Sequence, residues 1–152
     1  MVHAATEQVR LTNGRSVEVR IVGDVADGCL VYLHGTPSAA VPFTLLEEAA
    51  ARHGLGVLSC SRPGYGTSTP DPGRTVASVS PDVTAVLGEL GVERFVAVGW
   101  SGGGPHALAL GNLPDQRQHS LAATPFQLGP RYRILDEPFA DGFKDEGNRA
   151  AD

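Results

Sequence analysis

A single serine interrupts the glycine-rich segment "FVAVGWSGGGPHALAL", residues 95–110. Ser101 has Gly99 two positions before it and Gly103 two positions after it, which makes the pattern G-x-S-x-G. An apolar run precedes the pattern and an apolar, helix-like run follows it. At a tight strand-to-helix turn the residues at these two positions must be small, and the serine hydroxyl is held over the sheet at a helix N-terminus. The segment therefore predicts a nucleophilic serine.

Two other interpretations of these glycines stay open. A glycine-rich turn can serve only to join a strand to a helix. Residues 102–107, "GGGPHA", also fit the dinucleotide-binding pattern G-x-G-x-x-A, which requires an acidic residue about twenty positions further on, at the end of the next strand. Residues 121–124 offer no such acid, so nucleotide binding is kept only for the literal glycine pattern.

A serine nucleophile that transfers acyl groups needs two N–H donors for the developing oxyanion. One of them is expected at Gly102, directly after the nucleophile, and the other in the loop after the first buried strand. That loop reads "HGTPS", residues 34–38, and Thr36 is the candidate donor. His34 is interpreted as a residue that orders the loop, because the oxyanion site uses the backbone of this loop and not the imidazole.

The general base and the acid of a catalytic triad are not identified. A serine hydroxyl is a weak nucleophile until a histidine takes its proton and an acid holds that histidine. His106 lies in the helix that leads away from Ser101 and is expected to pack or face solvent. His119 precedes a candidate strand instead of following one. Nothing selects the acid among the downstream aspartates Asp136, Asp141 and Asp145.

Strand patterns place these residues in a sheet. Residues 7–12 and 15–22 alternate apolar and polar side chains around Asn13-Gly14, which predicts an antiparallel hairpin. The runs "CLVYLHG", "LGVLSC" and "RFVAVG" are nearly continuously apolar, as in strands that are buried on both faces of a parallel sheet.

Helical spacing fills the segments between these strands. A helix is predicted over "FTLLEEAAARHG", which begins at Phe43 and has Gly54 as its stop, and another with Ser80 as N-cap, Pro81 in the first position and Gly91 as its stop. A third is predicted from Gly102 to about residue 112. The fold class is therefore α/β, a mostly parallel sheet with helices on both faces and an N-terminal hairpin at one edge.

Ligands of such sheets bind at the carboxyl ends of the strands, where "HGTPSAA", "SRPGYGTS" and "GWSGGG" converge. With these three motifs in this order, residues 8–113 resemble the N-terminal half of an α/β-hydrolase, close to the small esterase and aminopeptidase-like members. The resemblance implies a serine hydrolase with a triad in the chain order Ser, acid, His. It implies acyl transfer but no particular substrate. Ser61 departs from the family pattern, since many relatives carry aspartate there.

The chain is divided into residues 1–113, the N-terminal part of the hydrolase domain, and residues 114–152, a divergent tail with one short strand and then irregular structure. Because the tail shows neither strand nor helix period for long, we expect a truncated hydrolase, with a frameshift near Pro114, that turns over poorly. An ordered lid is the competing interpretation of the tail. A non-catalytic remnant or binding module that keeps the cleft is the competing function.

Composition narrows the class of protein. The 152 residues carry a net charge of -5 with 41% hydrophobic residues, which is globular and gives no basic surface for nucleic acid or anionic membranes. The N-terminus has neither the basic start nor the apolar run of a signal peptide, which predicts a cytoplasmic protein. Cys29 and Cys60 are expected to be reduced thiols, with no metal site and no cofactor. A small acyl substrate is the expected partner, and the oligomeric state stays open.

Overall fold

The computed structural model describes residues 4–111 and the backbone of residues 118–123. The strands are β1 Ala4–Arg10, β2 Ser16–Val22, β3 Cys29–Leu33, β4 Gly56–Cys60, β5 Arg94–Gly99 and β6 Gln118–Ala123. They form one six-stranded sheet in the order β1-β2-β4-β3-β5-β6. The hairpin strands β1 and β2 pair antiparallel, β2 is antiparallel to β4, and β4, β3, β5 and β6 run parallel. The helices are α1 Thr44–Arg52, α2 Val79–Glu89 and α3 Gly104–Gly111.

The predicted hairpin is confirmed with slightly different bounds. Its turn occupies residues 11–15, where the Leu11 N–H donates to the Arg15 carbonyl at 2.8 Å and Gly14 has a φ of 84°. Glycine tolerates this left-handed conformation without a steric cost. Strand β1 therefore ends at Arg10 and is extended at its other end.

Helices cover both faces of the sheet, as the apolar strands predict. Along β3, Cys29, Val31 and Leu33 pack into one buried cluster, whereas Leu30 and Tyr32 pack into a second cluster. The first cluster also contains the apolar faces of α2 and α3, and the second contains that of α1. Because successive side chains of β3 point to opposite faces of the sheet, the two clusters lie on opposite faces.

Helix α2 begins earlier than its sequence predicts. The expectation that Ser80 is the N-cap is wrong, because α2 starts at Val79. Thr75 and Ser78 bond each other reciprocally, N–H to hydroxyl, at 2.8 and 3.2 Å, and this turn leads directly into the helix. Pro81 then lies within the first turn, where its missing N–H costs no helical bond. The predicted stops are confirmed, since α1 and α2 end just before Gly54 and Gly91.

Within the part of the tail that the structure describes, β6 begins at Gln118, before the expected "SLAAT". Its backbone pairs in parallel with β5, from Arg94 opposite Gln118 to Gly99 opposite Ala123. None of the helices in the described part of the chain has the length and apolar character to cross a membrane. Within that part, no group of histidine, cysteine or acidic side chains is arranged to hold a metal ion.

Candidate active site

The backbone at Ser101 is held in a left-handed conformation directly after β5. Its φ is 51°, and no other non-glycine residue of the described ranges has a positive φ. The Trp100 N–H donates to the Leu33 carbonyl at 3.1 Å, and the Gly103 N–H donates to the Trp100 carbonyl at 2.8 Å. A short 3-10 turn over Ser101–Gly103 then opens into α3. These bonds tie the turn to the neighbouring strand β3 and present the serine at the carboxyl edge of the sheet.

The predicted requirement for small residues around Ser101 has a visible steric cause. A Cβ at Gly99 would lie 2.5 Å from the Gly103 carbonyl oxygen. A Cβ at Gly103 would overlap the Leu33 carbonyl oxygen. Both contacts would be far closer than van der Waals contact, so only glycine at these two positions allows the elbow to fold against β3.

The two expected oxyanion donors belong to loops that touch each other. A Cβ at Gly102 would lie 3.6 Å from the Thr36 backbone nitrogen and 3.1 Å from its Oγ1. A Cβ at Gly35 would lie 3.2 Å from the Ser101 Cβ. The backbone of residues 35–36 therefore lies alongside the elbow, although 65 or more positions separate them along the chain.

His34 is fully enclosed and is hydrogen-bonded within the loops. Its Nδ1–H donates to the Gly35 carbonyl at 2.7 Å, and its Nε2 accepts from the Arg62 backbone N–H at 3.1 Å. Burial, with the nearby Arg62 charge, lowers the pKa of His34 to about 4. The imidazole is therefore neutral near pH 7 and occupied by loop contacts, as its interpretation as a loop-ordering residue requires.

Arg62 is a site-adjacent residue that sequence reasoning missed. Its guanidinium is buried and donates to the Gly35 carbonyl at 3.0 Å and to the Thr36 Oγ1 at 2.9 Å. It also donates from Nη1 to His106 Nε2 at 2.9 Å. The one signal in the sequence is an arginine immediately after a buried strand, at the edge where the motifs converge.

His106 packs away from the nucleophile, in agreement with the sequence analysis. Besides accepting from Arg62, its ring donates from Nδ1–H to the Val76 carbonyl at 3.1 Å. Burial, with the neighbouring Arg62, lowers the pKa of His106 below its ordinary value. Both ring nitrogens are thus occupied, and neither is available to take a proton from Ser101.

Ser61, the departure from the family pattern, orders its loop with the help of a carboxylate from β2. The Ser61 Oγ donates to Glu18 Oε1 at 2.7 Å and accepts from the Ala40 N–H at 2.7 Å. Glu18 Oε2 in turn accepts from the Thr67 N–H at 3.1 Å. Burial raises the pKa of Glu18, but the hydrogen bonds from Thr67 and Ser61 outweigh it, and the net pKa is lowered. A charge supplied by β2 therefore holds the loop that carries Arg62.

A cleft of about 420 Å³ opens beside Ser101. Its described walls hold no charged side chain; they are Tyr32, Gly35, Thr36, Pro37, Ser38, Val41, Pro42, Phe43, Trp100 and Ser101. The rings of Phe43 and Trp100 meet nearly edge to face at 6.3 Å between centroids, and Tyr32 lies 5.4 Å from Phe43. The walls thus combine aromatic and aliphatic side chains with hydroxyl and backbone polar groups.

The register of β6 sets the backbone of His119, the candidate base after α3, away from the strand end beside which Ser101 lies. His119 lies within β6, opposite Phe95 in the register, four positions before the strand end where Gly99 pairs with Ala123. The aspartates Asp136, Asp141 and Asp145 lie outside the described residues.

Comparisons with known proteins bear on the fold. The chain is similar to epoxide hydrolase A from Mycobacterium thermoresistibile, at 21% identity over 80% of this chain and 39% of that one, with a TM-score of 0.66. It is similar to an esterase from Exiguobacterium antarcticum at 21% identity, over 79% of this chain and 45% of that one, with a TM-score of 0.68. It is also similar to an alpha/beta hydrolase fold protein from Chitinophaga pinensis at 19% identity, over 80% of this chain and 44% of that one, with a TM-score of 0.68. The chain thus spans less than half the length of these three structures.

At these identities the structural likeness establishes the fold alone. A comparison with curated proteins found no match. The sequence profile of the alpha/beta hydrolase family matches residues 30–151, which is most of the chain. Together with the sheet order and the elbow at the end of β5, this match shows that the chain belongs to the alpha/beta hydrolase family.

Proposed function

We propose that the chain carries the nucleophile and the oxyanion donors of a serine hydrolase that acts on an ester or a similar acyl group. In this mechanism the Ser101 Oγ attacks the carbonyl carbon, and the N–H groups of Thr36 and Gly102 donate to the oxyanion. Collapse of the tetrahedral intermediate breaks the ester C–O bond and leaves an acyl-enzyme, while the proton that Ser101 lost to the general base passes to the departing oxygen, which leaves as the alcohol. Water then hydrolyses the acyl-enzyme and restores the serine.

The observation that carries this proposal is the left-handed Ser101 beside the Thr36 backbone. A non-glycine residue at a φ of 51° costs about 1–2 kcal/mol, and such strain concentrates at functional sites. The uncharged cleft next to Ser101 suits the acyl group of a neutral ester. Serine at this position favours acyl transfer, although one of the similar structures is named an epoxide hydrolase and another an esterase.

The proposal leaves the general base and the acid unassigned. His34 and His106 hold hydrogen bonds to other groups. The chain order Ser, acid, His, which the family resemblance implies, places both partners after Ser101. Because both partners are expected after Ser101, turnover by this chain and the identity of its substrate and further partners are proposals as well.

A non-catalytic binding module is the second candidate, because no histidine contact to Ser101 is found among residues 4–111. Nucleotide binding is disfavoured, since residues 121–124 supply no acidic residue at the end of the next strand. We expect ATP and NAD to leave the thermal unfolding temperature unchanged. A nucleotide-dependent rise would revive that interpretation.

Labelling with a fluorophosphonate probe tests the hydrolase. We expect the chain to be labelled, Ser101→Ala to lose all labelling, and Ser38→Ala to be labelled as strongly as the unmodified chain. Ser38 is the matched control because its side chain belongs to the wall of the same cleft. Absence of labelling in the folded chain would favour the binding module, and labelling that survives in Ser101→Ala would contradict the assignment of the nucleophile.

The cellular context is also a proposal. The cytoplasm is the location that we propose for the protein. Its partner is a small acyl substrate and not a nucleic acid, because the net charge is -5. Fractionation of cells that express the natural gene tests the location.

A further inference from the structure

Arg62 lies beneath the β3–α1 loop, residues 34–43, with only 5% of its surface exposed. Its Nη2 donates to the Gly35 carbonyl at 3.0 Å and to the Thr36 Oγ1 at 2.9 Å. Its Nη1 donates to His106 on α3 at 2.9 Å. One planar guanidinium therefore connects the loop that bears a proposed oxyanion donor to the helix that follows the nucleophile.

The two loop acceptors of Arg62 bracket a single peptide unit. The Gly35 carbonyl and the Thr36 N–H belong to the same planar group, and in a trans peptide they point in opposite directions. A second donor, His34 Nδ1–H, also binds the Gly35 carbonyl, at 2.7 Å. Holding the carbonyl on one side fixes the direction of the N–H on the other side, where Gly102 adjoins the Thr36 nitrogen.

The charge of Arg62 acts on this peptide from a sheltered position. The Arg62 Cζ lies 4.8 Å from the centroid of the Tyr65 ring, and the same ring meets His34 edge-on at 5.2 Å. No carboxylate forms an ion pair with Arg62 among the described residues, so neutral acceptors receive its hydrogen bonds. A charged donor on the carbonyl polarises the peptide and makes its N–H a stronger donor, more so where water is excluded.

We infer that Arg62 is a positioning residue, which orients and polarises the Gly35–Thr36 peptide so that the Thr36 N–H points at the oxyanion beside Ser101. The orientation of the peptide is a property of the free protein. Its use in oxyanion binding rests on the proposed hydrolase function, and the two parts are tested separately.

The orientation is tested by NMR of the free protein with Arg62→Lys. An ammonium keeps the charge but cannot present the fork that reaches Gly35, Thr36 and His106 together. We expect the Thr36 amide proton and nitrogen resonances to shift. The matched control is Arg15→Lys, which disrupts a remote guanidinium pair with Asp82 at 2.7 Å and should leave the Thr36 resonances in place.

Unchanged Thr36 resonances in a folded Arg62→Lys would overturn the inference. Arg62→Gln is the second variant, because a neutral amide of shorter reach still fills part of the site if the lysine variant does not fold. The same comparison then applies, with thermal unfolding of each variant measured alongside. A shift that spreads equally over residues remote from the loop would indicate a general packing role and would also count against the inference.

The catalytic part is tested on the rate of fluorophosphonate labelling and on hydrolysis of p-nitrophenyl acetate. Loss of one oxyanion donor lowers kcat by about 100- to 1000-fold, so a misaligned donor is expected to slow both reactions by about tenfold or more. KM should stay unchanged, since the ground-state ester does not need the oxyanion donor. Arg15→Lys should match the unmodified chain.

The outcomes separate the inference from the function on which it rests. If Ser101 is labelled and Arg62→Lys is labelled at the same rate, the inference fails while the hydrolase stands. If the chain is never labelled but the Thr36 resonances move in Arg62→Lys alone, the hydrolase fails while the orienting role of Arg62 stands.

Discussion

At the scale of single residues, the candidate site depends on positions where an added Cβ atom would clash with the backbone of the turn around Ser101. Ser101 keeps an unfavourable φ of 51° because hydrogen bonds from Trp100 to Leu33 and from Gly103 to Trp100 determine the turn around it. Gly103 has no room for a side chain against the Leu33 carbonyl. Its neighbour Gly104, by contrast, has no atom within 4 Å of an added Cβ.

This contrast gives a paired prediction. We expect Gly103→Ala to lower the free energy of unfolding by about 2 kcal/mol or more, because overpacking against backbone cannot relax by a side-chain rotation. Gly104→Ala, at the start of α3 with helical φ, should raise it by up to about 1 kcal/mol, because alanine favours the helix. Urea unfolding of both variants measures the difference. Equal stabilities would contradict the steric account of the elbow.

At the scale of elements, the loop that carries Arg62 is held in part by a carboxylate of β2. Glu18 accepts hydrogen bonds from Ser61 and Thr67, while Ser61 also receives the Ala40 N–H from the neighbouring loop. The family resemblance implies aspartate at the Ser61 position in many relatives. In this chain the carboxylate of Glu18 already lies there, so an aspartate would face a second negative charge.

We therefore expect Ser61→Asp, the residue of many relatives, to destabilise this chain by about 2 kcal/mol, since it exchanges a hydrogen bond to a charged group for like-charge repulsion. Glu18→Gln in the same background should recover much of the loss. A double-mutant cycle in urea measures the coupling. Additive effects of the two substitutions would show that the two side chains do not depend on each other.

At the scale of the whole molecule, two neutral histidines link the loops and the helix that lie at the carboxyl edge of the sheet. His34 links the β3–α1 loop to the backbone of Arg62, and His106 links α3 to the same arginine and to Val76. Each imidazole accepts a hydrogen bond on Nε2, so protonation removes that acceptor and adds a charge beside a guanidinium. Acid should therefore loosen the contacts between α3 and both loops at once.

The sign of the pH dependence follows from the lowered pKa values. Burial lowers the pKa of His34 from 6.5 to about 4, so between these values the unfolded chain binds more protons than the folded one. The free energy of unfolding should be fully maintained above pH 6.5 and should fall as the pH drops from 6.5 towards 4. His106→Gln, which keeps an acceptor for Arg62, should make this decline shallower.

Urea midpoints measured from pH 8 to pH 5 check this prediction, because most carboxylates titrate below that window. A midpoint that stays constant from pH 6.5 to 5 would contradict it. In the same pH range, NMR of the His34 ring should show the neutral Nδ1–H form throughout.

Much of the architecture can be predicted from the sequence because the physical causes are local. The left-handed turn at Gly14, the apolar run of β3 and the close contact between Gly99 and Gly103 each act within a few positions of the chain. The start of α2 escaped prediction because two competing hydroxyls, Thr75 and Ser78, bond before the helix. Ser80 has the right residue type for a cap but lies two positions after Ser78, which precedes the first residue of the helix.

By itself, the sequence determined the α/β class, the hairpin, the helix stops and the serine elbow, since periodicity and glycine sterics are written into neighbouring residues. Only the tertiary structure decided that Thr36 adjoins Gly102, that Glu18 stands in for an aspartate beside Ser61, and that Arg62 holds the Gly35 carbonyl. These partners are separated by 27 to 66 positions along the chain. They meet because the sheet places β2 beside β4, β4 beside β3 and β3 beside β5, so that the ends of strands distant in the sequence lie next to one another.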